Sequence, residues 1–144
     1  LVARPTARVI TVSSMGHRIG KIDFADPGRT RGYTALAAYT QSKLANVLFT
    51  QELARRTQGT GLVTHALHPG IVMTNMLRDT GFTNQPTDTP AVAAQTSVFL
   101  ATDTDVARRS GGYFVRSQPR QPGTTDPILA GKLWALSERQ CGLA

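Results

Sequence analysis

Ala35-Leu36-Ala37-Ala38-Tyr39-Thr40-Gln41-Ser42-Lys43-Leu44-Ala45-Asn46-Val47-Leu48-Phe49 opens a stretch, 35–57, that contains helix formers and neither Gly nor Pro. The spacing predicts a helix ended by Gly59 and Gly61. Leu44, Val47 and Leu48 form one apolar stripe, and Ala45, Phe49 and Leu53 form a second. A helix apolar on two sides buries both, one against a sheet and the other against a helix or a second subunit. On either side lie short apolar runs. Residues 8–13, Arg-Val-Ile-Thr-Val-Ser, and 62–67 read as buried strands, the latter stopped by His68-Pro69-Gly70.

Farther out, 15–34 is rich in Gly, Arg and Asp, turns at Asp26-Pro27-Gly28, and reads as a long loop. Residues 73–85 are polar and irregular, with room for one helical turn, and 90–101 is a helix with Pro90 in its first turn. Gly111-Gly112 leads into a third strand at Tyr113-Phe114-Val115. Residues 116–125, with Pro119, Pro122 and Gly123, read as a loop. The last helix, 126–140, has Asp126 as N-cap and Pro127 at its first position. Strands alternating with helices define an α/β domain built on a parallel sheet. Ligands of such sheets sit beyond the carboxyl ends of the strands. Ser13-Ser14 and His68-Pro69-Gly70 lie at two such ends.

The 144 residues suit one domain of modest core, and 40% hydrophobic with 17% charged residues fits a globular chain. No run reaches the ~18–20 apolar residues of a membrane helix. The start, Leu-Val-Ala-Arg-Pro, shows no signal-peptide pattern. A single Cys141 excludes an internal disulfide and a Cys-rich metal site and agrees with a reducing, cytoplasmic setting. The net charge of +7 is dispersed, with no basic run of five, so a solvated surface is favoured over a nucleic-acid surface. His17, His65 and His68 lack metal-ligand spacing and suit the surface or a layer behind a site. Trp134 suits the core.

Tyr39 and Lys43, at i and i+4, share a helix face. A phenol with a pKa near ~10 is a poor acid or base at neutral pH. An ammonium one turn away favours the phenolate and equips a tyrosine for general acid/base work. A hydroxyl such as Ser14 suits an oxygen whose charge changes in the reaction. Together they suit proton transfer coupled to hydride exchange with a nicotinamide. Each motif alone arises by chance; their joint order is what counts.

Val9-Ile10-Thr11-Val12-Ser13-Ser14, then Ala38-Tyr39-Thr40-Gln41-Ser42-Lys43-Leu44-Ala45-Asn46, then His68-Pro69-Gly70-Ile71-Val72-Met73-Thr74 resemble successive signatures of the short-chain dehydrogenase/reductase family. The run 41–49, the Gly112-Tyr113-Phe114 ending and Leu133-Trp134-Ala135-Leu136-Ser137-Glu138 resemble its branch of retinol dehydrogenases and WW-domain-containing oxidoreductases. The resemblance implies the C-terminal part of a doubly wound, parallel-sheet Rossmann-type domain. It implies Ser14 orienting the substrate oxygen, Tyr39 moving the proton, and Lys43 tuning Tyr39 and holding the nicotinamide ribose. Pro69 and Gly70 would wall the nicotinamide, the Ile71 backbone would meet its carboxamide, and Thr74 the carboxamide or pyrophosphate. Residues 76–89 would form the substrate-side loop.

The cofactor implied is NADP or NAD, with NADP favoured by the resemblance alone; no metal is implied. The partners implied are a small carbonyl or alcohol substrate and, in a full domain, further copies of the chain, without nucleic acid or a membrane span. The Gly-rich pyrophosphate turn and the Asn of the family's tetrad have no counterpart in 1–144. This predicts a partial domain lacking its dinucleotide-binding half, inactive and marginally stable by itself. The alternatives are a non-catalytic dimerising remnant, a basic nucleic-acid binder and, more weakly, an extended-type epimerase or dehydratase.

Overall fold

A computed structural model describes residues 6–72 and 87–143. Three parallel strands, β1 (Ala7–Val12), β2 (Leu62–His68) and β3 (Gly112–Val115), lie side by side in chain order. A fourth, β4 (Gln118–Arg120), runs antiparallel to β3. Helix α1 (Ala35–Arg56) carries the chain from β1 to β2, α2 (Pro90–Thr102) precedes β3, and α3 (Pro127–Gln140) follows β4. This is the doubly wound α/β arrangement expected.

The helices take opposite faces of the sheet. Val47 of α1 packs with Ala66 and Tyr113 on one face. Leu100 of α2 packs with Leu67 and Phe114 on the other. α3 lies outside α1, where Leu44 and Leu48 meet Ala130. The second stripe of α1 therefore also finds a helix: Phe49 stacks on Trp134 of α3 with centroids 5.7 Å apart, and Arg56 lies 4.6 Å over the same indole. Trp134 is thus a half-buried seam residue, not a core one.

Local signals set the boundaries as read. Thr34, Thr89 and Asp126 each accept backbone N–H bonds as N-caps, and Pro90 and Pro127 occupy first-turn positions. Two segments read as loop are ordered further. Residues Met15–Ile19 form a 3-10 turn capped by Ser14. Within 116–125, β4 pairs with β3 through a two-residue turn, Arg116-Ser117, at φ 51° and 58°. Such turns favour Asn-Gly, which this chain lacks there, and Pro119 argues against a strand. Pro119 is tolerated because β4 is the sheet's last strand. The Ser117 N–H bond to Thr96 Oγ1 (3.0 Å) helps hold the turn. The expected bridging stretch 73–85 lies outside the described residues.

Candidate active site

The two serines after β1 have different duties. Ser13 is buried and its hydroxyl donates to the Lys43 carbonyl (2.7 Å), stapling the strand end to α1. The Val12 carbonyl is held from the same helix by Asn46 Nδ2 (3.0 Å) and Lys43 Nζ (3.4 Å). Ser14, one residue on, accepts the Gly16 N–H at 3.2 Å, which leaves its own O–H proton for another acceptor.

Tyr39 comes to this turn directly. A Cβ at Gly16 would stand 3.1 Å from Tyr39 Cε1, so the ring lies close against Gly16 and would have to shift for a larger residue. Lys43 Nζ is 5.6 Å from the centroid of the Tyr39 ring. Burial lowers the Lys43 pKa. Ser14, Tyr39 and Lys43, 29 residues apart from first to last, are thus gathered at the carboxyl end of β1.

Pro69, Gly70 and Ile71 follow β2 at the neighbouring strand end. Gly70 takes φ 106°, and a Cβ there would collide with Asp88 Oδ2. The Ile71 N–H, expected to face a carboxamide, donates here to that same oxygen at 3.3 Å. Asp88 also receives Thr87 Oγ1 (2.8 Å) and Arg116 Nη2 (3.4 Å), and these bonds keep its carboxyl below the usual range. Thr74 lies outside the described residues, as does most of the substrate-side loop.

Reading the sequence missed Gly16, Asn46, Asp88 and Tyr113, and left His17 open between the surface and a layer behind a site. Asn46 was legible in principle, three residues beyond Lys43 on one helix face. His17 is 1% exposed, not on the surface, and Tyr113 packs on it at 4.8 Å. Burial raises the Tyr113 hydroxyl to about 12. Among the described residues no cluster of His, Cys, Asp or Glu could hold a metal ion, and no helix is long and apolar enough to cross a membrane.

No family model matches the chain. Retinol dehydrogenase 13 of Homo sapiens is 41% identical over 159 aligned positions, covering 99% of this chain and 48% of the relative. Retinol dehydrogenase 14 of Mus musculus is 39% identical over 150, covering 95% and 45%. Among solved structures, an uncharacterised protein of Mycobacterium paratuberculosis superposes with a TM-score of 0.71 at 36% identity, covering 93% of this chain and 50% of that one. A short chain dehydrogenase of Salmonella enterica serovar Typhi superposes at 0.61 with 25% identity, covering 82% and 44%. These likenesses identify the chain as belonging to the short-chain dehydrogenase/reductase family, of the retinol dehydrogenase-like kind. It spans about half the length of the curated relatives it matches.

Proposed function

We propose that the protein to which this chain belongs moves a hydride between NADP or NAD and a small carbonyl or alcohol substrate. The observation that carries this reading is the Tyr39 ring lying against Gly16 of the Ser14 turn, with the Lys43 ammonium 5.6 Å from its centroid. In the reducing direction the Tyr39 hydroxyl gives its proton to the substrate oxygen. Ser14 donates its remaining O–H to that oxygen and fixes where it lies. Lys43, its ammonium 5.6 Å from the centroid of the Tyr39 ring, supplies positive charge as the phenolic oxygen becomes anionic.

The residues fit a nicotinamide nucleoside. Lys43 offers N–H donors to ribose hydroxyls, and Pro69, Gly70 and Ile71 follow the adjacent strand end. When bound, the nicotinamide supplies or accepts the hydride. Ile71 can offer its N–H to a carboxamide once Asp88 releases it. The 144 residues hold no Gly-rich turn for a pyrophosphate, so calorimetry with the chain alone should give no micromolar binding of NADPH. The nucleic-acid reading fares worse: Arg55 and Arg56 both bind Glu52, and Arg31 pairs with Asp26.

The test is carbonyl reduction, followed at the nicotinamide absorbance, in a full-length short-chain dehydrogenase/reductase containing this chain. Tyr39→Phe should lower turnover by roughly 10²–10⁴-fold while circular dichroism is unchanged. Near-parental turnover in that variant would overturn the assignment.

A further inference from the structure

His17 has no part in the chemistry described, yet it is among the most buried polar residues of the chain. Its ring joins two segments more than a hundred residues apart in sequence. One ring nitrogen, Nδ1, faces the Ser14 carbonyl at 2.5 Å. The other, Nε2, faces the Gly123 N–H at 2.8 Å. A carbonyl only accepts and a backbone N–H only donates. Nδ1 therefore carries the proton and Nε2 is bare, so the partners select one tautomer of the neutral ring.

The 121–123 loop presses closely on this turn. A Cβ on Gly123 would stand 3.1 Å from Arg18 Cα and 3.3 Å from His17 Cδ2. Arg18 adds a second tie, donating from Nη2 to the Gln121 carbonyl at 2.6 Å. The tied residue is Ser14 itself, whose backbone and side chain both enter the 3-10 turn.

We infer that His17 is a positioning residue: its neutral, Nδ1-protonated ring clamps the Ser14 turn to the 121–124 loop and thereby sets the Ser14 hydroxyl against Tyr39. This rests on the hydride-transfer reading for its catalytic consequence, though not for the clamp itself. Protonating the ring would aim Nε2–H at Gly123 N–H, donor against donor, and open the clamp.

The surroundings keep the ring neutral. Burial lowers the His17 pKa, the Ser14 carbonyl opposes this, and Arg18 on the same turn lowers it further. Tyr113 from β3 packs on the ring as a neutral phenol. From β2, His68 is the charged-capable neighbour, and it too is lowered chiefly by burial. From α1, Tyr39 abuts Gly16 of the same turn. Gln121-Pro122-Gly123-Thr124 holds no titratable side chain. None of these groups is an anion at neutral pH, so the Ser14 carbonyl alone among them favours an imidazolium, and burial outweighs it.

Two measurements decide the matter. First, long-range proton–nitrogen correlation on the full-length protein, without cofactor, should show His17 protonated at Nδ1, with the Gly16 and Gly123 amides moving together as the ring titrates. An Nε2–H tautomer, or a Gly123 amide indifferent to that titration, overturns the clamp. Second, in the full-length enzyme, His17→Ala should lower kcat roughly 10- to 100-fold, with the cofactor KM little changed, as for a misplaced reacting group. His17→Asn, which keeps a donor toward Ser14 but cannot titrate, should recover most of that loss and flatten the acid limb of kcat. An acid limb identical to the parent's overturns the catalytic role. The first measurement needs no cofactor. A silent parent enzyme would therefore sink the hydride-transfer reading, and the spectroscopic result would still uphold or sink the clamp.

Discussion

β1 and β2 are neighbours with similar β-branched, apolar sequences, yet their surroundings differ. β2 buries Leu62 and the whole of 64–67, with α1 over one face and α2 over the other. No residue of β1 is fully buried, and Val12 is 45% exposed. β1 is the first strand of the sheet, so its outer side has no partner among the described residues. The Ala7 and Ser13 N–H groups bond toward β2, which turns the backbone of Arg8, Ile10 and Val12 outward by strand alternation. The candidate catalytic serine therefore follows the less supported strand. What fixes it is the helix behind: Ser13, Lys43 and Asn46 tie the end of β1 to α1. Central strands derive their stability from burial on both faces, whereas an edge strand relies on specific bonds.

Substitutions can break this contrast. Leu67→Ala, at a fully buried position between Leu100 and Phe114, should cost about 2–5 kcal/mol in a urea melt. Ile10→Val on β1, half-buried beside the same cluster, should cost no more than about 0.5–1.5 kcal/mol. Equal losses at the two sites would mean that β1 is as well covered as β2. Ser13→Ala should cost about 1 kcal/mol through its one buried hydrogen bond, and should lower turnover in the full-length enzyme more than Thr11→Ala does. If both alanines act alike, α1 is not what fixes the strand end.

Acid sharpens the comparison. His65 of β2 accepts the Gly112 N–H at Nδ1 (3.2 Å) and sets Nε2 against the Val106 carbonyl (3.3 Å), and burial lowers its pKa. The unfolded chain takes up this proton first, as pH falls below about 6.5. The contribution of neutral His65 is thus complete above that pH and is lost progressively toward the lowered folded pKa. Urea midpoints should fall with acidification, and less so in His65→Gln; an unchanged slope would assign the effect to other groups. β1 enters this effect only through Arg8, whose charge adds to the burial that lowers the His65 pKa. The smallest effect is local: native-state hydrogen exchange should be fast at Arg8, Ile10 and Val12 and slow at Val9, Thr11 and Ser13. Slow exchange at all six would show that another strand, from a second copy or from elsewhere, lies along this edge.

Much of the architecture was written locally. The Gly- and Pro-free run 35–57 gave α1 to within a residue, and Asp126-Pro127 marked the start of α3, because caps and apolar periodicity act over a few residues. The order Ser14, Tyr39, Lys43 pointed to the proposed chemistry, since i and i+4 on a helix share a face whatever surrounds them. The β4 hairpin was not legible, because Arg116 and Ser117 adopt a positive-φ turn that their own preferences oppose and that Thr96, twenty-one residues away from Ser117, helps to hold.

The sequence by itself thus determined the order of the helices and parallel strands and named the candidate catalytic side chains. Tertiary structure alone decided that Gly16 makes room for the Tyr39 ring, that Asp88 takes the Ile71 N–H, and that His17 is a buried neutral clamp. Each of these depends on contact between segments brought together only by the sheet. The Gly123 that fixes the His17 tautomer lies 106 residues away, and no local pattern records a hydrogen bond at that distance.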